Sequence, residues 1–319
     1  MKRAFWKKCF LALSTLLLIG AMGMVPLAEA ENWRFGVSKP GGAWYPIGSA
    51  IQKLARDQYG DQVTLDIGGG LANTLNVLSG KIDVGLALAP TVVDALKGRG
   101  KFKGKDTSDL RLAAVQYPRE MFWVVWADSG IKSWQDLKGK RVNAMPKRFS
   151  AQALNIQMLS ALGMSYKDFS KTLHLGFNDA VSQMKDNHID AYLGPGGRKF
   201  APIIQLAAHK PIRILPFSKE DVRKMKAVQP ALIEVVMDKK YYNQPKDFRV
   251  VQSYQIILTN KNVPEKLVYK VAKLMYGNLD YMRKVNKSFN RVSAKDAAQD
   301  LGIKRHPGLT RYLKEAGVL

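Results

Sequence analysis

The stretch Arg34–Ser49, R-F-G-V-S-K-P-G-G-A-W-Y-P-I-G-S, constrains the fold more than any other. Trp33, Phe35 and Val37 alternate as in a strand. The pattern breaks at Pro40-Gly41-Gly42, and apolar residues resume after Pro46 at helical spacing in Ile47, Ala50, Ile51, Leu54 and Ala55. The reading is strand, glycine turn, helix. Glycines in such a turn let the backbone pass close to a bound group, and the first amides of the helix point outward with the positive end of its dipole. An anion or a carbonyl fits that gap, and the same Pro-Gly-Gly also suits a plain connection between strand and helix.

What precedes the turn bears on where the chain works. Lys2, Arg3, Lys7 and Lys8 are followed by an apolar core from Phe10 to Val25 and by Ala28-Glu29-Ala30, the pattern of a secretory signal peptide cut after Ala30. The apolar core is short for a retained membrane anchor. Cys9, the only cysteine, lies ahead of that core, so the exported chain from Glu31 onward has no thiol for a disulfide, a thiolate metal site or a nucleophile. The chain carries 50 Lys and Arg against 26 Asp and Glu, a net charge of +24. Such a surplus attracts something negative, whether lipid headgroups, nucleic acid or an acidic solute. The basic residues are scattered in runs such as Lys97–Lys105 and Lys219–Lys226. Runs of this kind are usually solvated faces, and no nucleic-acid motif accompanies them.

Strand and helix signals then alternate. Gln62–Ile67 reads as a strand, Gly68-Gly69-Gly70 as a second glycine turn, and Leu71, Thr74, Leu75 and Leu78 as one helical face. Ile82–Ala89 is a nearly continuous apolar run fit for a strand buried on both faces, with a helix at Thr91–Lys97. Arg111–Tyr117 and Met121–Ala127 are two more apolar runs. A second unit follows: strands at Val142–Met145, Thr172–Leu175, Ile189–Leu193 and Ile212–Leu215, and helices at Ala151–Leu162, Asp179–Asp186 and Phe200–Ala208. Val250–Leu258 reads as a strand returning to the first unit, and Pro264 opens a helix with Leu267, Val271, Leu274 and Met275 on one face. Two α/β units joined by crossing strands form a clamshell whose ligand crevice lies past the carboxyl ends of the strands.

No catalytic constellation is present: there is no H-E-x-x-H, G-x-S-x-G, Walker loop or helix-opening G-x-G-x-x-G. His174, His188, His209 and His306 sit in separate segments without metal-like spacing. Trp123, Trp126 and Trp134 read as core. The simplest reading is a binding protein with no enzyme activity, no metal and no cofactor.

Five ordered segments carry a family resemblance: F-G-V-S-K-P-G-G-A-W-Y-P-I-G-S-A-I, G-G-G-L-A-N-T-L-N-V-L-S-G-K-I-D-V-G, A-D-S-G-I-K-S-W-Q-D-L-K-G-K-R-V, D-N-H-I-D-A-Y and H-P-G-L-T-R-Y-L-K-E-A-G. Together they span nearly the whole exported chain. They resemble the TAXI solute-binding proteins of tripartite ATP-independent periplasmic (TRAP) transporters. The resemblance implies an α/β two-lobe clamshell of the type II periplasmic-binding-protein, or Venus-flytrap, class with a hinge. Its first lobe would hold residues 31–117 plus 249–319 and its second 118–248. It also implies a periplasmic monomer that closes on a small organic acid and presents it to TRAP permease subunits, fused or separate. The family's ligand positions carry over to Gly41, Gly42, Ala43, Trp44 and Tyr45, to Gly69, Gly70 and Leu71, to Leu88 and Ala89, and to Met145, Lys147, Arg148, Phe149 and Ser150.

The chain departs from the family at several of these. Ala43 replaces a common Thr, Leu71 a Ser and Leu88 a Gln, while Lys147-Arg148-Phe149-Ser150 replaces a small polar loop. Hydroxyls and amides give way to apolar groups and two cations, so the acid is expected to carry an apolar part against Trp44, Tyr45, Leu71 and Phe149. Arg148 could pair bidentately with its carboxylate, or could face solvent with Lys147. Arg198, after Gly194-Pro195-Gly196-Gly197, is the second candidate cation, Lys39 precedes the first turn, and Arg119-Glu120 falls at a crossover where it could act as a hinge. A binding protein of an ATP-driven importer and an extracytoplasmic sensor component remain as alternatives.

Overall fold

A computed structural model describes residues 30–40, 43–147, 149–198 and 200–319. The leader 1–29 and Gly41, Gly42, Arg148 and Lys199 lie outside the described residues. Among the described residues no helix is long and apolar enough to cross a membrane.

The first half of the fold comprises β1 (Asn32–Val37), α1 (Trp44–Tyr59), β2 (Gln62–Ile67), α2 (Gly70–Leu78), β3 (Val84–Leu88) and α3 (Ala89–Leu96). The strand β4 (Leu110–Trp126) leads into β5 (Arg141–Asn143), α4 (Ser150–Ala161), β6 (Lys171–Leu173), α5 (Phe177–Lys185), β7 (Ala191–Pro195), α6 (Ala201–His209), β8 (Ile212–Ile214), α7 (Lys219–Val228) and β9 (Ile233–Met237). The strand β10 (Phe248–Asn260) returns, followed by α8 (Glu265–Tyr276), α9 (Leu279–Val285) and α10 (Pro307–Glu315).

The strands run β2-β1-β3-β10-β4-β7-β5-β6, with β8 on β4 and β9 on β10. β2, β1 and β3 are mutually parallel, as are β6, β5 and β7. Each parallel set needs helical crossovers to cover its faces, which accounts for the alternating sequence pattern. The antiparallel pair β4 and β10 knits the two sets together.

Two buried apolar clusters divide the chain into two lobes. Phe35, Ile51, Leu86, Val115, Ile257 and Val271 belong to the first, and Phe122, Trp123, Leu159, Tyr192, Phe217 and Val250 to the second. Along β4 the change falls between Tyr117 and Met121, and along β10 between Val251 and Tyr254. A register shift lies at that changeover: Tyr254 pairs with Pro118 but Ile256 with Val115, leaving Gln116 and Tyr117 opposite Gln255 as a bulge.

Two sequence expectations change here. The apolar runs on either side of Pro118 form one strand of 17 residues, because Pro118 sits beside the bulge, where a missing N–H is tolerated. The strand expected to reach Met145 ends at Asn143, and Met145 takes a left-handed backbone conformation with φ 66° while its side chain is fully buried in the second core.

Candidate functional site

A cleft of about 520 Å³ opens between the lobes at the carboxyl ends of the strands. Its first-lobe wall is built by the βα turns. Val37 and Gly48 make close contact, since a Cβ at Gly48 would stand 2.3 Å from a Val37 methyl, and this seats α1 tightly on β1. Ser38, Lys39, Ala43 and Trp44 line the cleft beside that contact. The Trp44 indole N–H donates to the Gln255 Oε1. Gly68, Gly69 and Gly70 form the second edge. Gly69 has φ 147°, a conformation that a side chain would strain. The fully buried Asn73 fixes that turn: its Oδ1 accepts from the Gly69 amide at 3.3 Å and its Nδ2 donates to the Leu86 carbonyl at 2.8 Å.

The floor is sheet. Gln255 pairs with Leu88, Ser253 with Arg119, and Met121 with Pro195, so adjacent rungs of β3, β10, β4 and β7 present these side chains together. The second-lobe wall comes from the start of α4, with Phe149, Ser150, Ala151 and Leu154, and from Phe177 at the start of α5.

Electrostatically the cleft is positive. The helices α1 to α5 each begin at its lining, and none has a side-chain cap on its N-terminal amides. Away from the cleft, α7 and α10 are capped by Ser218 and His306, while α6, α8 and α9 are not. Five uncapped dipole ends favour an anion. On the floor, Arg119 has its guanidinium carbon 5.0 Å from the centre of the Phe200 ring. Among the described residues it has no carboxylate within ion-pair distance, and no Asp or Glu lines the cleft. Phe200 is held by its amide, which donates to the Tyr242 hydroxyl at 2.9 Å; burial pushes that phenol up to about 12 and keeps it protonated.

The cleft brings together seven of the residues expected from sequence: Ala43, Trp44, Gly69, Gly70, Leu88, Phe149 and Ser150. Gly41, Gly42 and Arg148 lie outside the described residues. The remaining six sit elsewhere. Tyr45 packs half-buried against the first core, Ala89 is fully buried, and Met145 is in the second core, where its carbonyl meets the His174 Nδ1 at 2.9 Å. Leu71 is 40% exposed on the outer side of α2 and Lys147 is exposed. Arg198 does not line the cleft; it lies 3.9 Å from Glu120, with its guanidinium over the Tyr241 ring. Arg119 lies at the crossover where sequence reasoning placed it, between Tyr117 and Met121 on β4, and also stands on the cleft floor; Met121, Leu154, Phe177, Ser253 and Gln255 were not anticipated. A lone cation in an apolar strand run was the one available signal for Arg119. Among the described residues no group of His, Cys, Asp and Glu is placed to hold a metal ion.

The family model described as the NMT1-like family matches residues 35–317. The chain belongs to the NMT1-like family. Solved structures share the fold across nearly its whole length. A TctC solute-binding protein from Polaromonas is 12% identical, covering 91% of this chain and 99% of that one, with a TM-score of 0.52. The periplasmic sulfonate-binding protein SsuA from Methylobacillus flagellatus is 16% identical, covering 91% and 96%, with a TM-score of 0.53. The periplasmic binding protein BugD is 14% identical, covering 90% and 98%, with a TM-score of 0.51. This NMT1-like chain therefore has the fold of two-lobe periplasmic solute-binding proteins.

Proposed function

We propose that this NMT1-like protein is the periplasmic solute-binding subunit of a TRAP transporter. In this reading it captures a small organic acid with an apolar part between its lobes and passes it to the membrane permease. The observation that carries the reading is the unpaired Arg119 guanidinium on the floor of the interlobe cleft, ringed by uncapped helix starts. A carboxylate placed there gains a charge-assisted pair and amide hydrogen bonds. Apolar side chains of Trp44, Leu88, Met121, Leu154, Phe149 and Phe177 line the same space and suit a carbon skeleton. The lobes, expected as residues 31–117 with 249–319 and residues 118–248, close about the β4–β10 changeover, which on β10 lies past Val251 because Val250 and Val251 pack in the second core. The five resembling segments support the TRAP assignment, and the leader supports export with cleavage after Ala30.

A thermal-shift screen of the chain from Glu31 against mono- and dicarboxylates, oxo acids and sulfonates tests this. A bound acid at 100 times its Kd adds about 2.7 kcal/mol and raises the melting temperature. Absence of any shift across the acids at millimolar concentration would overturn the proposal. Saturable binding of a non-acidic solute without lobe closure would favour a sensor component.

A further inference from the structure

We infer that the cleft is built for an aryl carboxylate that carries no amino group. The inference rests on the carboxylate reading above and goes further on two separate observations.

The first is the charge inventory of the lining. Its ionisable side chains are Lys39 and Arg119, both cationic. The residues outside the description between Glu31 and Leu319 are two glycines, an arginine and a lysine, so none can supply a carboxylate. The helices that reach the cleft present N–H groups, which are donors like an ammonium. The Gln255 Oε1, an acceptor on the floor, already takes the Trp44 indole N–H. An α-ammonium group held beside the carboxylate would lose its hydration next to Arg119 and find no counter-charge. In this lining an ammonium would meet only neutral oxygens, such as the Ser38, Ser150 and Ser253 hydroxyls, beside two cations.

The second is the aromatic wall. Phe149 stands at the N-cap of α4, Phe200 at the N-cap of α6, and Phe177 at the first position of α5. At the two N-cap positions, Phe149 and Phe200, a Ser, Thr or Asp would ordinarily cap the helix, while the N-cap before Phe177 is Gly176. The rings touch in sequence: Phe149 to Phe177 at 6.0 Å, and Phe177 to Phe200 edge-on at 5.2 Å with planes at 89°. The Arg119 guanidinium lies against Phe200 at the end of the row. The row therefore runs from an apolar slot to a cation, and Trp44 faces it from the first lobe. A planar ring on a short tether to a carboxylate fits this gradient, with the ring packed edge or offset against Phe149 and Phe177.

Isothermal titration with four probes tests the inference: 3-phenylpropionate, L-phenylalanine, hexanoate and succinate. The first two share a skeleton and differ by the amine; hexanoate keeps the charge and loses the ring. 3-Phenylpropionate should bind about 100-fold more tightly than phenylalanine and about tenfold more tightly than hexanoate. Phe177→Leu should weaken 3-phenylpropionate about tenfold and leave hexanoate within about twofold, with the melting temperature of the free protein reporting on folding. Equal affinity for phenylalanine would overturn the exclusion of the amine, and equal affinity for hexanoate the role of the ring. If hexanoate or succinate binds and 3-phenylpropionate does not, this inference fails while the carboxylate reading stands. If all four fail to bind, this inference falls, and the carboxylate reading is decided by the wider acid screen.

Discussion

Arg119 and Glu120 are consecutive on β4 and serve opposite faces of the sheet: the cation lines the cleft, while the buried carboxylate pairs with Arg291 at 2.7 Å on the far side. Strand alternation alone produces this division. It keeps the nearest carboxylate away from Arg119 and leaves that guanidinium for a solute.

Arg119→Ala should therefore weaken an acidic ligand about 10- to 100-fold, the range expected for a charge-assisted hydrogen bond. Arg119→Lys should recover only part of this, because a point charge lacks the planar fork. Calorimetric titration of both variants measures the loss. Their melting temperatures should stay near the parent's, since among the described residues Arg119 has no ion-pair partner to orphan.

Glu120→Gln should act on stability instead. The Glu120 side chain is fully buried, and Arg291 and Arg198 approach it from different lobes. Removing its charge leaves Arg291, 23% exposed, with no carboxylate, at a cost of about 2–3 kcal/mol. Urea unfolding should show a lower midpoint with an unchanged slope.

A second buried ion cluster sits in the first lobe. Lys270, 4% exposed, donates to Asp61 at 2.9 Å and to Glu31 at 2.6 Å, and Asp61 also accepts from the Trp33 indole at 3.0 Å. Asp61→Asn or Lys270→Met alone should each cost about 3–5 kcal/mol, because each strands a buried partner. The double variant Asp61→Asn with Lys270→Met should cost less than the sum of the two. Chemical denaturation of the four proteins of that cycle gives the coupling directly.

Acid should destabilise the protein through His306. Its Nδ1 accepts from the Gly308 amide at 3.2 Å and so caps α10, which requires the neutral ring, and burial holds its pKa below the ordinary histidine value. Above about pH 6.5 both folded and unfolded states carry a neutral ring and the cap contributes fully. As pH falls below that value the unfolded chain takes up a proton that the folded one refuses, and stability drops until the folded pKa is passed. His306→Asn, which keeps a cap and cannot titrate, should flatten the difference in melting temperature between pH 7.5 and 5.

Much of the architecture is legible in the sequence because hydrophobic periodicity records it. The first strand and the helix after it, the second glycine turn and the returning strand are all present among the described residues. Pro118 misleads because its effect depends on a bulge that only pairing with β10 creates. The charged run Lys219–Lys226 reads as a solvated face. Arg223, Lys224 and Lys226 are indeed exposed, but Val222 and Met225 are buried and make it a helix. The site is less legible than the fold. Its backbone elements announce themselves through glycines, whereas Phe177, Ser253 and Gln255 become neighbours only through strand order and helix placement. Leu71 does not line the cleft, because one residue of helical rotation separates it from Gly70 and leaves it exposed.

The shared strands β4 and β10 have one more consequence. Each core contributes to both strands, so melting one lobe tears the hydrogen-bonded ribbon that the other lobe is folded upon. Calorimetry should record a single peak whose van't Hoff and measured enthalpies agree, although the molecule has two hydrophobic centres.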